Sequence, residues 1–143
     1  MDKLTLKLAL APSNPVVPLG ASVYLDDVCV FSSNHVDAPV DLAHEFDDVP
    51  GAHSLKISLT GKLPEHTRVN GNEILEDAVL SLTSISIDGQ DLTKMLWFKS
   101  VYEHDFNGTG DTTQDKFYGT LGCNGTVTLN FEGPFFIWFL ENS

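Results

Sequence analysis

Residues 105–116 form a stretch dense in oxygen donors: Asp105-Phe106-Asn107-Gly108-Thr109-Gly110-Asp111-Thr112-Thr113-Gln114-Asp115-Lys116. A hard cation such as calcium is held by carboxylate, amide and carbonyl oxygens. The candidate ligands here are Asp105, Asn107, Asp111 and Asp115. Set against an EF-hand loop, the stretch has Asp first, Asn third, Thr fifth and Gly sixth, but Lys116 stands where the bidentate Glu is required. No helical pattern flanks it. A calcium loop here is therefore of a looser kind, carried on a β scaffold. The same residues also read as a solvated polar loop whose Asn-Gly and Gly-Asp steps make turns.

Aromatic residues crowd the neighbourhood of this loop: Trp97, Phe98, Tyr102, Phe106, Phe117 and Tyr118. A sugar ring has an apolar face and a polar rim, so it calls for an exposed aromatic beside Asp, Asn or Gln. Trp97, Tyr102 and Tyr118 are the candidate ligand contacts, whereas Phe106 and Phe117 read as core. Histidine chemistry is less well served. His44 precedes Glu45 and His104 precedes Asp105, and adjacent strand residues point to opposite faces. His53 aligns with Leu55 and Ile57 and reads as a half-buried strand residue. Metalloprotease, nucleophile-elbow, phosphate-loop and C-x-x-C motifs are missing from the sequence. A Cys123, His104 and Asp105 constellation would lack a source of thiolate activation. The chain is therefore expected to bind rather than to catalyse.

The charge narrows the partners. The 143 residues carry 8 Lys plus Arg against 20 Asp plus Glu, a formal net charge of −12. Arg68 is the single arginine, so the basic stripe that neutralises nucleic-acid phosphates is not available. Anionic membrane surfaces would repel such a chain as well. The excess of acid is larger in the C-terminal half, where the candidate loop lies, and this favours a cation or a basic partner there. Neither a signal-peptide pattern nor an apolar run long enough to span a bilayer is present. Cys29, within Val28-Cys29-Val30-Phe31, reads as a small core hydrophobe, and Cys123 as part of a turn. Reduced thiols are expected.

The elements that must position these residues are strands. Leu4, Leu6, Leu8 and Leu10 share one face of residues 3–10. Pro12, Pro15 and Pro18 then make 11–20 an extended connection. Residues 21–31 form the next strand, with Val23, Leu25, Val28 and Val30 inward and a bulge or hairpin turn at Asp26-Asp27. Residues 39–47 are short and mixed. In 51–59, His53, Leu55, Ile57 and Leu59 face the core. Residues 61–77 read as loop, 78–87 as a strand with a bulge at Thr83-Ser84, and Asp88-Gly89 as a turn. Residues 91–100 hold the one helical spacing. Phe117-Tyr118-Gly119 reads as a short strand. Val127, Leu129 and Phe131 face inward until Gly133-Pro134, and Phe135 to Leu140 read as a closing buried strand. Many short strands with Gly and Pro turns indicate a single domain over 1–143, an all-β antiparallel β-sandwich of jelly-roll type.

Two resemblances add to this reading. Val23-Tyr24-Leu25-Asp26-Asp27, Gly51-Ala52-His53-Ser54-Leu55-Lys56-Ile57-Ser58-Leu59 and Ile85-Ser86-Ile87-Asp88-Gly89 resemble segments of calcium-dependent jelly-roll carbohydrate-binding modules. That resemblance covers about half the chain and implies calcium as cofactor and a glycan as partner. Ser100 through Gly108, Asp115 through Gly119, Gly122-Cys123-Asn124-Gly125 and Trp138-Phe139-Leu140-Glu141 resemble small proteins of tailed marine phages. This second resemblance implies a virion or host-cytoplasm setting, with other virion proteins or copies of itself as partners. The leading expectation is a non-enzymatic interaction module of a phage virion, such as a decoration or tail component. The second is a calcium-dependent carbohydrate-binding module.

Overall fold

The computed structural model describes residues 2–14, 16–62, 67–70, 73–104, 113–117, 119–122 and 124–142, with side chains left undescribed at 67–70, 73–77 and 113. Two antiparallel sheets face each other across one apolar core. The first has the order β12-β8-β1-β4, with β9 also paired to β8: β1 (Lys3–Pro12), β4 (Val40–Asp47), β8 (Leu80–Ile87), β9 (Gln90–Asp91) and β12 (Thr120–Leu121). The second has the order β11-β10-β13-β5-β2-β3: β2 (Gly20–Leu25), β3 (Val28–Ser33), β5 (Gly51–Thr60), β10 (Val101–His104), β11 (Thr113–Asp115) and β13 (Gly125–Gly133). The β-sandwich expected from the strand pattern is what forms.

Alternation along the strands builds the core. Leu4, Leu6, Leu8 and Leu10 of β1 are all buried, as are Leu55, Ile57 and Leu59 of β5 and Val127, Leu129 and Phe131 of β13. Their polar neighbours face solvent, as a half-buried strand requires. The bulge expected near Thr83-Ser84 is present: Ala9 pairs with Ser84 but Leu10 with Leu82, leaving Thr83 over. Asp26 and Asp27 make the β2–β3 turn with φ of 51° and 65°. Positive φ at both central residues is the primed hairpin turn, whose twist matches that of the strands.

Several expectations fail for identifiable reasons. Phe135–Asn142 is a helix, α2, not a buried strand. Both neighbours of β13 are already taken by β10 and β5, so the segment that follows β13 cannot fold back to pair with it. Phe135, Trp138 and Phe139 lie at helical spacing and pack on the core, while Phe136, Ile137 and Leu140 stay exposed. Asp48 Oδ1 accepts the Phe135 backbone N–H at 3.0 Å, satisfying a donor at the first turn of α2. The helical spacing at 91–100 does form α1 (Thr93–Lys99), burying Met95 and Leu96. Residues expected as loop contain a hairpin, β6 (Thr67–Asn70) with β7 (Glu73–Asp77). The mixed segment 39–47 is a full strand, because β1 supplies an eight-residue ladder.

Three smaller placements also change. Cys29 is exposed rather than in the core, and Val28 is 58% exposed. A register shift in the β2–β3 pair sets Tyr24 opposite Cys29 and leaves Val30 extra, which turns Cys29 outward. No strand forms at Phe117, which is buried between β11 and β12, and Tyr118 lies outside the described residues.

Gly125 opens β13 opposite His104, where a Cβ would fall inside contact distance of the Glu103 carbonyl and 3.1 Å from His104 Cα. Gly125→Ala is expected to lower the melting midpoint by forcing β10 away from β13. Leu6→Ala, at a site of zero exposure, is expected to cost about 2–5 kcal/mol. Chemical denaturation of the variants checks both.

Candidate functional site

Asp105, Asn107 and Asp111 of the candidate calcium loop, and Tyr118 of the candidate aromatic contacts, lie outside the described residues. Asp115 ends β11, and its Oδ2 sits 2.7 Å from His104 Nε2. Among the described residues no three His, Cys, Asp or Glu side chains come together, so those residues do not by themselves fit a cation site. Trp97 stands on α1 at 37% exposure. Tyr102 does not present a face to solvent. It lies on the inward side of β10 at 7% exposure, tilted against His104 with ring centroids 4.9 Å apart and edge-on to Phe117 at 6.1 Å. Alternation decides this: Val101 and Glu103 are the β10 residues that face out, so Tyr102 and His104 face in.

A broad concavity lies elsewhere, on the outer face of the six-stranded sheet. Cross-strand register aligns one outward residue from every strand: Gln114, Glu103, Thr126, Ser58, Ser22 and Ser32. With strands about 4.8 Å apart, this row is roughly 24 Å long. The row beside it runs Val101, Thr128, Lys56, Tyr24 and Cys29. A groove of 570 Å³ lies over the middle of these rows, lined by Ser22, Tyr24, Ser58, Thr60, Glu103 and Thr126 and reaching His104 and Asn124 at its end. A second hollow of 400 Å³ continues it past Lys56, Val101, Gln114 and Thr128, with Glu103 and Thr126 common to both.

The groove's chemistry is that of hydroxyls and amides with one acid, one base and one aromatic ring. Ser58 Oγ and Thr126 Oγ1 are 2.9 Å apart, sharing a hydrogen bond. Gln114 Nε2 donates to Glu103 Oε2 at 3.3 Å. Lys56 Nζ lies 3.9 Å from Asp27 Oδ1. Each hydroxyl can donate and accept, so the floor complements a ligand that is itself rich in hydroxyls. Tyr24 offers a partly exposed ring at the rim. Sequence reading overlooked the groove because solvent-facing Ser and Thr look alike on any half-buried strand. Only register shows that they fall in line.

One buried polar assembly holds the Tyr24 end in place. His53, 7% exposed, stacks on Phe131 with centroids 5.0 Å apart. Its Nε2 lies 2.7 Å from the Val49 carbonyl and its Nδ1 2.6 Å from Asp26 Oδ2. A carbonyl and a carboxylate both accept, so the pair of contacts is complete when both ring nitrogens carry hydrogen. Burial is the largest single influence and opposes the charged ring. The Asp26 and Val49 hydrogen bonds, with the Asp26 and Asp48 charges, outweigh it and raise the His53 pKa above the ordinary histidine value. Asp26 Oδ1 also accepts the Ser54 N–H at 2.9 Å, so one carboxylate ties the β2–β3 turn to β5.

No protein-family model and no curated protein sequence matches the chain. Two solved structures share its fold. One is the selenomethionine form of vCBM60, described in connection with two families of calcium-dependent carbohydrate-binding modules linked by circular permutation. It has a TM-score of 0.56 and 13% identity, over 88% of this chain and 89% of that one. The other is vCBM60 in complex with galactobiose, with a TM-score of 0.52 and 12% identity, over 88% of this chain and 98% of that one. At such identity the likeness is one of fold.

The His53 assembly predicts a signed pH dependence. A pKa raised on folding contributes stability that is full below the unfolded value and is lost as pH rises through the folded one. The melting midpoints of the wild type and His53→Gln should differ most near pH 5 to 6 and converge above the raised value. A gap that stays constant from about pH 5 to about pH 9 would show that His53 acts by packing alone.

Proposed function

We propose that this chain is a non-catalytic carbohydrate-binding module whose glycan lies across the outer face of the six-stranded sheet. The observation that carries the reading is the groove itself: an open trough floored by the hydroxyls of Ser22, Ser58, Thr60 and Thr126 from three adjacent strands, flanked by Glu103, with Tyr24 at its rim. Sugars are recognised by paired donors and acceptors around the ring edge and by an aromatic against its flat face. Both are supplied here. A row roughly 24 Å long suits a chain of several sugar units better than a single one. The two fold relatives carry the same class of function in their descriptions, and one holds galactobiose. Those descriptions favour this reading over the virion one, for which neither relative provides support.

Calcium enters the proposal through the 105–115 loop and through the calcium dependence stated of the relatives' families. Asp115 is its one described member. With Oδ2 held by His104, its other oxygen is the one it could lend to a cation. Trp97, on α1, lines neither hollow and stands outside the proposed contacts.

Isothermal titration against galactobiose and a panel of neutral oligosaccharides, in calcium and in EDTA, tests the reading. Tyr24→Ala is expected to weaken binding about tenfold, roughly the contribution of one stacked ring. Glu103→Ala should weaken it as well, and Trp97→Ala should leave it nearly unchanged. Loss of affinity in Trp97→Ala but not in Tyr24→Ala would move the site to α1. Absence of binding to every sugar in both buffers would overturn the assignment. A melting midpoint that rises with calcium would support the loop as a cation site.

A further inference from the structure

Strand β4 ends the first sheet, and among the described residues no strand pairs with its outer edge. Thr5 exchanges hydrogen bonds with Asp88 on the β8 side, so the odd residues of β1 direct their backbone groups to β8 and the even ones to β4. Register then places Leu42, His44 and Phe46 as the β4 residues bonded to β1, opposite Leu8, Leu6 and Leu4. The N–H and C=O groups of Asp41, Ala43 and Glu45 therefore point away from the sheet, and no described residue bonds to them.

Edges of this kind are usually blunted by short length, bulges, Pro or charged side chains, and the carboxylates of β4 serve that role only against other acidic strands. At the other described edges, β11 and β12 have 3 and 2 residues and the β3 ladder is bulged. In contrast, β4 pairs over eight residues without a register shift and carries neither Pro nor Lys. Its inward side chains Val40, Leu42, His44 and Phe46 are only partly buried, so the core is incompletely covered along this strand. Its outward side chains include the carboxylates of Asp41 and Glu45.

We propose that β4 is a strand-addition site for an extended basic segment of another protein, one that alternates apolar residues with Lys or Arg. Main-chain bonds to Asp41, Ala43 and Glu45 would extend the sheet, as in other strand-addition complexes. The apolar residues of the added strand would cover Leu42 and Phe46, and its cations would stand opposite Asp41 and Glu45. Charge selects against a second copy of this chain. The two antiparallel registers of longest overlap set Asp41 against Glu45 or against Asp47 of the other copy, and like charges directly opposite are destabilising. The net charge of −12 acts in the same direction.

The test uses the full chain and a fluorescent, end-blocked eight-residue peptide of alternating Lys and Val, followed by anisotropy. The wild type should bind it and should not bind the Glu–Val counterpart. Ala43→Pro removes the central outward N–H without touching the β1 ladder and should weaken binding about fivefold or more, with the melting midpoint showing that the fold is kept. Asp41→Lys with Glu45→Lys should reverse the preference toward the Glu–Val peptide. Equal binding to the wild type and Ala43→Pro would reduce the effect to surface charge and overturn the proposal. So would no binding to the wild type, or dimerisation of the wild type that Ala43→Pro abolishes.

Discussion

The nine-residue antiparallel pairing of β13 with β5, Gly125 to Gly133 against Leu59 to Gly51, is the constraint on which both faces of the six-stranded sheet depend. Side chains alternate along a strand, so one register settles two surfaces at once. It turns Leu55, Ile57, Leu59, Val127, Leu129 and Phe131 into the core. In the same stroke it places Ser58 beside Thr126 and Lys56 beside Thr128 on the outside. A slip of one residue would exchange the two sets, exposing apolar side chains and burying hydroxyls without partners. The burial of the core thereby enforces the order of the groove. An outer face that makes no contact with the core inherits its precision from it.

The acidic residues divide into those that hold the fold and those left to meet partners. Asp26 binds His53 and Ser54, Asp48 binds the first turn of α2, and Asp88 accepts the Thr5 N–H at 2.7 Å. Each joins segments far apart in sequence at a place where regular pairing ends, and satisfies backbone donors that would otherwise be left without partners. Asp47 pairs with Lys3 at an exposed site, where such a contact adds little. Asp41 and Glu45 take no such part, and together with Glu103 they give the surface its chemical character. The −12 charge is therefore in part structural and in part a statement about what the surface will accept.

The two proposed sites lie on a sheet surface and a sheet edge. The groove uses the outward face of the second sheet, and the open β4 edge uses main-chain groups of the first. These lie in different sheets and draw on different groups, side-chain hydroxyls in one case and amides in the other.

The strand pattern, the Asp-Gly and Asp-Asp turns, the bulge near Thr83, the buried His53 and the α1 segment were all legible from residue order. Each depends on local alternation or on backbone preferences of nearby residues. The helix at Phe135–Asn142 was not legible, because six consecutive apolar residues fit a buried strand or a buried helix equally well until the neighbours of β13 are known to be occupied. The outward turn of Cys29 and the inward turn of Tyr102 depended on a register shift and on which side of β10 meets the core. The groove is the clearest case. Ser22, Ser58 and Thr126 are unremarkable in three separate stretches of sequence, and only pairing across strands sets them in one row. The sequence by itself determined the alternation within each strand, a short-range matter of which residues avoid water. The tertiary structure alone decided which strands lie side by side and in what register, because that choice minimises exposed apolar area over the whole chain at once.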